Sequence, residues 1–244
     1  MEKFSREDLD RHFPLGLIAT RPKEIKDFPY TSEGNGAMNR VYDLKEAIME
    51  SLPIHRAILS VTDKSGLTEF ATFLASHNVE IVSTGGTKKI LEAAGLPVTA
   101  VSAVTGFPEI LGGRVKTLHP FIHGGILANK DDPSHMQTLH DKGIKPFDLV
   151  CVNLYDFAGA VARHLSYEQA VEEIDIGGPC MLRAAAKNYH SMLVLPSPEW
   201  YAPAMEEMRA HDMAVSLQFR QMMASRAFEA TSRYDALITS YLRP

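Results

Sequence analysis

From Arg56 onward, short apolar runs alternate with amphipathic helical segments, and this pattern limits the possible folds most strongly. Runs of strand length lie at residues 57–61, 79–82, 98–101, 148–152 and 191–195. The run at 148–152 is almost continuously apolar, which is typical of a strand buried on both faces of a parallel sheet. We therefore predict an α/β fold, a three-layer structure with a parallel sheet, whose ligands bind at the carboxyl ends of the strands.

Helices fill the intervals between these runs. After the first run, apolar residues recur at helical spacing, at Leu67, Phe70, Ala71 and Leu74, and Asp63 is expected to cap this helix. A longer stripe runs from Phe219 to Tyr241. We interpret it as core or subunit interface, since methionine and aromatic residues at this spacing most often pack.

Composition narrows the function classes. The 244-residue chain has a net charge of −5 and two cysteines, so it has neither the basic excess of a nucleic-acid binder nor a disulfide framework. No apolar run approaches the roughly 18 residues of a membrane span, and the charged N-terminus does not resemble a secretory signal. We expect a cytoplasmic protein with an irregular N-terminal extension, residues 1–55, and a catalytic domain, residues 56–244.

Two neighbouring strand ends carry residues suited to phosphate. Residues 83–87, Ser-Thr-Gly-Gly-Thr, follow a strand and open a helix, so backbone N–H groups, hydroxyls and the helix N-terminus favour an anion there. Residues 62–66 follow the preceding strand, and their Lys64 is placed to reach the same anion. The sequence therefore predicts a phosphate site at this edge of the sheet.

Further polar groups follow the later strands. Basic residues lie in a glycine-bounded loop at 114–119, and Tyr155 follows the buried strand. Asp175 stands between two helices, and Lys187 follows three alanines on the second helix; partial desolvation would lower the pKa of such a lysine toward proton transfer. His119 and His123 lie four residues apart without a third ligand at recognisable spacing, so no metal site is predicted.

Five motifs together resemble a known family. They are SVTDKSG (60–66), STGGT (83–87), TGFPEILGGRVKTLHP (105–120), NLY (153–155) and IDIGGPCMLRAAAKN (174–188). In this order they resemble the IMP cyclohydrolase domain of the bifunctional purine-biosynthesis enzyme, in which that domain is fused to an AICAR transformylase. The resemblance implies a methylglyoxal-synthase-like fold, closure of 5-formamidoimidazole-4-carboxamide ribotide (FAICAR) to IMP and water, no cofactor, and a homodimer.

The resemblance also implies roles for individual residues. Lys187 would be the principal proton donor and acceptor, with Asp175 as its partner. Lys116 would face the formyl oxygen, with Tyr155 nearby. The substrate-binding residues would be Ser60, Thr62, Asp63, Lys64, Thr84, Gly85, Gly86, Thr87, Arg114, Val115, Thr117, Asn153, Ile176 and Gly177.

The chain departs from the family pattern in three respects. Asp156 replaces the proline of the usual Asn-Leu-Tyr-Pro-Phe, about 55 residues precede the first strand, and the transformylase half is not in this sequence. A separate AICAR transformylase is therefore an expected partner.

Two alternatives share this fold. One is a methylglyoxal-synthase-like lyase, whose catalytic aspartate motif has no match here. The other is a regulatory phosphate-ligand-binding domain, which would not need Lys116, Tyr155, Asp175 and Lys187 together.

Overall fold

The computed structural model describes residues 51–243 of the chain. Their centre is a parallel five-stranded sheet with the order β4-β3-β2-β5-β6. These strands span Arg56–Ser60 (β2), Glu80–Ser83 (β3), Thr99–Ala100 (β4), Leu149–Val152 (β5) and Leu193–Leu195 (β6). Strands β1 (Ser51–Pro53) and β7 (Ala214–Ser216) form a separate antiparallel pair.

Ten helices surround these strands in the described residues. They span Leu67–Ser76 (α1), Gly85–Ala93 (α2), Val101–Thr105 (α3), Pro120–Leu127 (α4), Pro133–Asp141 (α5), Phe157–Ala162 (α6), Tyr167–Glu172 (α7), Gly177–Lys187 (α8), Tyr201–Ala210 (α9) and Leu217–Leu242 (α10). Short 3₁₀ turns lie at Leu111–Gly113 and Pro198–Trp200. The arrangement confirms the predicted α/β fold with its parallel sheet.

The core lies between the sheet and its helices. All residues of β5 are buried, and so are the first four of β2, as expected for central strands of a parallel sheet. Helix α8 packs against α10, and both contact β6. The four apolar residues predicted for the face of α1 are buried. In the stripe of α10, Phe219, Met223, Ala227 and Tyr234 are buried, while Met222 and Leu237 are exposed.

A buried carboxylate sets the alignment of the two central strands. Asp148, directly before β5, accepts hydrogen bonds from the backbone N–H groups of His55 and Arg56, both at 2.8 Å, and pairs with Lys130. The resulting register places Ser60 opposite Val152. The residues that follow each strand, including Asn153, therefore emerge side by side at the carboxyl edge of the sheet.

One predicted helix start is wrong. Helix α1 begins at Leu67, with Gly66 as its N-cap and no side-chain cap, whereas Asp63 accepts a hydrogen bond from Ser65 N at 2.9 Å. Gly66 has a φ of +67°, a conformation that glycine adopts without strain. The aspartate therefore closes a turn ahead of the helix.

The predicted extension falls largely outside the described residues. Of residues 1–55, the structure describes only 51–55, and β1 within them pairs with β7. None of the helices in 51–243 is long and apolar enough to cross a membrane.

Candidate active site

A cavity of about 640 Å³ opens where β2, β3 and β5 end. Residues that follow each of these strands line it, together with two segments from later in the chain, 112–118 and 171–178. Most of the predicted site residues lie in this wall: Ser60, Thr62, Lys64, Thr84, Gly85, Gly86, Thr87, Arg114, Lys116, Thr117, Asn153, Tyr155, Asp175, Ile176 and Gly177. Motifs far apart in sequence thus meet in one place.

The start of α2 forms an anion cradle within this cavity. Thr84 is the N-cap, but its side chain makes no capping hydrogen bond; its hydroxyl instead lies 3.1 Å from that of Ser60. The first N–H groups of a helix have no partner within the helix, so those of Gly85, Gly86 and Thr87 are open to a ligand. At Gly86, an added Cβ would meet nothing within 4 Å. The partial positive charge of these N–H groups favours a phosphate.

Lys64 reaches the cradle from the neighbouring loop. Its Nζ donates to the carbonyl oxygen of Val61 and lies 3.3 Å from Thr87 Oγ1. Burial lowers the pKa of Lys64, and the charge of Asp63 partly opposes this. A phosphate bound on α2 would stabilise the charged form of the lysine.

Lys116 lies close to the same cradle. A Cβ built on Gly85 would be 3.9 Å from Lys116 Nζ, and Nζ lies 3.4 Å from Glu109 Oε2. The aliphatic part of Lys116 passes over Gly113, where a Cβ would be only 2.9 Å from Cε, and Gly113 has a φ of +91°. The glycine therefore allows the lysine to enter the cavity.

An exposed ion pair spans the cavity wall. The Arg114 guanidinium binds both carboxylate oxygens of Glu172, with Nε to Oε2 at 3.1 Å. Both side chains are more than half exposed, so the pair contributes little to stability. Glu172, the last residue of α7, was not among the predicted site residues, although it lies only three residues before Asp175 in the sequence.

Asp175 and Tyr155 lie in the same wall. Asp175 Oδ1 accepts a hydrogen bond from Gly178 N at 2.8 Å, and its own N–H donates to the Tyr234 hydroxyl at 2.8 Å. Burial raises the pKa of Asp175, and backbone hydrogen bonds from Gly178 and Tyr155 partly offset this. Tyr155 is 42% exposed, so a ligand in the cavity has access to it.

Two glycines allow α8 to begin close to these groups. A Cβ on Gly177 would lie 2.8 Å from Thr117 Oγ1, and one on Gly178 would lie 2.4 Å from Asp175 Oδ2. Distances under 3 Å between such atoms require something to move. The Gly-Gly pair therefore fixes the approach of the Thr117 turn and the Asp175 carboxylate to one helix end.

Three predicted site residues do not line the cavity. Asp63 is an exposed turn residue, and Val115 pairs with Ile110 in an isolated antiparallel bridge. Lys187 ends α8, about 15 Å along the axis from Gly177. It lines a second depression that includes Leu118, His119, Cys180, Arg183 and Phe228. The roles assigned to all three remain predictions.

Known proteins match most of this chain. The MGS-like domain matches residues 66–180, and the AICARFT/IMPCHase bienzyme matches residues 185–244. The bifunctional purine biosynthesis protein PurH of Rhodospirillum rubrum is 51% identical over 196 residues, which cover 80% of this chain. PurH of Polynucleobacter necessarius is 50% identical over 190 residues, 78% of this chain. The crystal structure of ForH aligns with a TM-score of 0.67 and 32% identity, covering 76% of this chain and 97% of ForH. The chain belongs to the family of IMP cyclohydrolase domains.

The family assignment confirms the resemblance seen in the five motifs and the methylglyoxal-synthase-like fold. The chain spans little more than a third of the two PurH relatives, 37% and 36% of their lengths. The MGS-like match contains the cradle and Asp175. The bienzyme match begins just before Lys187, which lines the second depression.

Proposed function

We propose that this protein is an IMP cyclohydrolase, which closes the imidazole carboxamide ribotide FAICAR to IMP with loss of water. The observation that carries the proposal is that one cavity combines an anion cradle on α2 with Lys116, Tyr155 and Asp175. The cradle suits the 5′-phosphate of a nucleotide, and the other three suit proton transfer and charge stabilisation beside it.

Ring closure forms a bond between the carboxamide nitrogen and the formyl carbon of the same molecule. The carboxamide nitrogen loses one proton as it attacks, and the formyl oxygen gains charge and takes up a proton. The resulting hydroxyl leaves as water after a second protonation, while the formamido nitrogen loses its proton and a C=N bond forms. The carboxamide is a weak nucleophile, so holding the two groups together supplies much of the rate. The cavity walls would fold the substrate into this geometry while the phosphate anchors it on Thr84–Thr87.

Cationic and N–H donors would stabilise the developing charge. Lys116 is only partly exposed and already lies beside the cradle, so its ammonium can donate to the formyl oxygen. Burial raises the pKa of Asp175, which makes its carboxyl group a candidate for proton exchange with the substrate. The principal proton-shuttle role of Lys187 is a further proposal, and it requires that Lys187 reach a substrate-bearing cavity.

Turnover of FAICAR by the purified protein tests this function. We expect IMP absorbance to appear without added metal or folate, and inorganic phosphate to compete with FAICAR because both use the cradle. Lys116→Gln shortens the side chain by one atom, keeps it polar and removes its charge, so it should lower kcat at least a hundredfold. The absence of IMP formation between pH 6 and 9 would contradict the proposal.

We also propose a cytoplasmic homodimer. The apolar residues Leu118, Leu127 and Phe228 are each about 40% exposed and line the same depression as Lys187, which a second copy would cover. Multi-angle light scattering should give twice the chain mass, and Phe228→Glu should shift the protein to monomer. A separate AICAR transformylase is proposed as the supplier of FAICAR, because the formyl group must be added before ring closure.

A further inference from the structure

Lys116 lies at the end of a short turn whose pairing brings Glu109 beside it. Ile110 and Val115 form an antiparallel bridge, in which Ile110 N donates to Val115 O at 3.2 Å and Val115 N donates to Ile110 O at 3.4 Å. The next positions outward from this pair are 109 and 116, and directly opposite residues share one face. The backbone of the turn therefore sets the Glu109 carboxylate against the Lys116 ammonium.

Both side chains cross the same face of Gly113. A Cβ built on Gly113 would lie 2.9 Å from Lys116 Cε and 3.6 Å from Glu109 Oε1, so the absence of a side chain there leaves room for the pair. Glu109 Oε2 lies 3.4 Å from Lys116 Nζ. Within residues 51–243, no other carboxylate oxygen comes within 4 Å of this ammonium. Glu109 is thus the counter-ion of Lys116 in this part of the chain.

The anion cradle is the second charged neighbour of Lys116. Lys116 Nζ lies 3.9 Å from the Cβ position of Gly85, at the start of α2, where the open N–H groups carry partial positive charge. In the ligand-free cradle these groups repel the ammonium, and the charge of Glu109 offsets this repulsion. A bound phosphate reverses the sign, because its negative charge would draw an ammonium that had no other counter-ion onto itself. Glu109 opposes this movement.

We propose that Glu109 is a positioning residue, which holds the Lys116 ammonium off the bound phosphate so that it stays available to the formyl oxygen of the substrate. The identity of that oxygen rests on the proposed function, whereas the competition between Glu109 and an anion in the cradle for Lys116 does not. The side chain of Glu109 is 55% exposed and that of Lys116 is 30% exposed, so the pair adds little to stability. Its effect is on the position of one charge.

Glu109→Gln tests this role, because it removes the charge of the carboxylate and keeps the shape of the side chain. We expect the Kd for inorganic phosphate, measured by isothermal titration calorimetry, to fall about threefold as Lys116 joins the anion. With FAICAR as substrate, kcat should fall about tenfold because the formyl oxygen loses its donor, while KM does not rise. A purely structural role of Glu109 predicts the opposite for phosphate, which would bind more weakly as kcat falls.

Two controls accompany this variant. Glu92→Gln breaks a comparable exposed ion pair, Lys88 with Glu92 at 2.6 Å on α2, and should leave the Kd for phosphate and kcat at their wild-type values. In the Lys116→Gln background, Glu109→Gln should no longer tighten phosphate binding, because no ammonium remains to move.

Three results would overturn the proposal: phosphate binding that is unchanged or weaker in Glu109→Gln, an unchanged kcat in that variant, or tightening that persists without Lys116. A wild-type protein that binds no phosphate would also overturn it. If wild type binds phosphate but does not convert FAICAR, the proposed function fails, and the phosphate titrations still decide whether Glu109 holds Lys116 off the anion.

Discussion

At the scale of residues, the site depends on glycines at which an added methyl group would collide with a neighbouring side chain. Gly178 is the sharpest case, because a Cβ there would lie 2.4 Å from Asp175 and 2.9 Å from Leu154. Gly86, which has a similar position at the start of another helix, has nothing within 4 Å of its Cβ position. These two glycines therefore separate a steric requirement from the general effect of adding a methyl group.

We expect Gly178→Ala to lower the free energy of unfolding by about 2 kcal/mol, the usual cost of forcing extra volume into a packed site. Gly86→Ala should leave stability unchanged or slightly raise it, since alanine favours the helix. Urea unfolding followed by circular dichroism measures both. Equal destabilisation of the two variants would show that the contact with Asp175 relaxes without cost.

The raised pKa of Asp175 predicts that the free energy of unfolding depends on pH. Its pKa is raised in the folded protein above the ordinary value of 3.8, so folding favours the protonated form. The associated stabilisation is complete below pH 3.8 and is lost as pH rises through the folded pKa. Asp175→Asn should therefore flatten the fall in stability as the pH rises above about 4 and, because the carboxylate is lost, lower kcat. Parallel unfolding curves for variant and wild type over this range would contradict the assignment.

Sequence reasoning found the cradle because its chemistry is local. A strand end, two glycines and hydroxyls at the start of a helix are visible within five residues. The engagement of Asn153 was not visible, since its partners Thr62 and Asp63 lie some 90 residues away. For Lys187, helical periodicity indicates a direction around the axis, whereas the length of α8 decides how far the residue lies from the cavity.

At the scale of elements, Asp156 has a clear structural role. It replaces the usual proline after Asn-Leu-Tyr and is the N-cap of α6, accepting a hydrogen bond from Gly159 N at 2.9 Å. A Cβ on Gly159 would fall 1.9 Å from Asp156 Oδ2, so the two residues fit as a pair. The departure in sequence therefore secures the helix that follows Tyr155.

Asp156→Ala should lower the free energy of unfolding by about 1 kcal/mol, the typical value of an N-cap. Asp156→Asn is the matched control, because asparagine caps about as well, and it should remain near wild type. Thermal unfolding at neutral pH compares the three proteins. A loss in Asp156→Asn equal to that in Asp156→Ala would mean that charge, rather than the cap, matters.

The order of strands and helices followed from hydrophobic periodicity, whereas their ends did not. The predicted strand at 191–195 is shorter in the structure, Leu193–Leu195, because an apolar run does not show where pairing to β5 stops. The start of α1 was misplaced because Gly66, with its positive φ, ends the turn that Asp63 begins. Such ends depend on backbone angles that composition does not encode.

At the scale of the whole molecule, the position of Lys187 bears on assembly. It lies beside exposed apolar residues and outside its own chain's cavity. If it carries the proton-shuttle role that the resemblance implies, we expect it to serve the cavity of a second copy. Lys116→Ala and Lys187→Ala would then each be inactive alone.

Mixing these two variants should restore about a quarter of wild-type activity, because half of the dimers are mixed and each has one intact site. In the control mixture, Lys116→Ala with Asp175→Asn, both substituted residues line the cavity of their own chain. Each cavity of a mixed dimer therefore still carries one substitution, and no activity should be restored. Subunits are exchanged by mild denaturation and refolding, and IMP formation is measured. No recovery from dimeric protein would exclude action across the interface.

The pairing of β1 with β7 has a consequence for how the chain folds during synthesis. Strands β2, β3 and β5 can associate as they are made, but Ser51 pairs with Ser216, so this contact closes across almost the whole described chain. Such non-local contacts form late and slow folding. Until α10 is nearly due to emerge from the ribosome, β1 has no partner strand, and chaperones that shield unpaired strands would act in that interval.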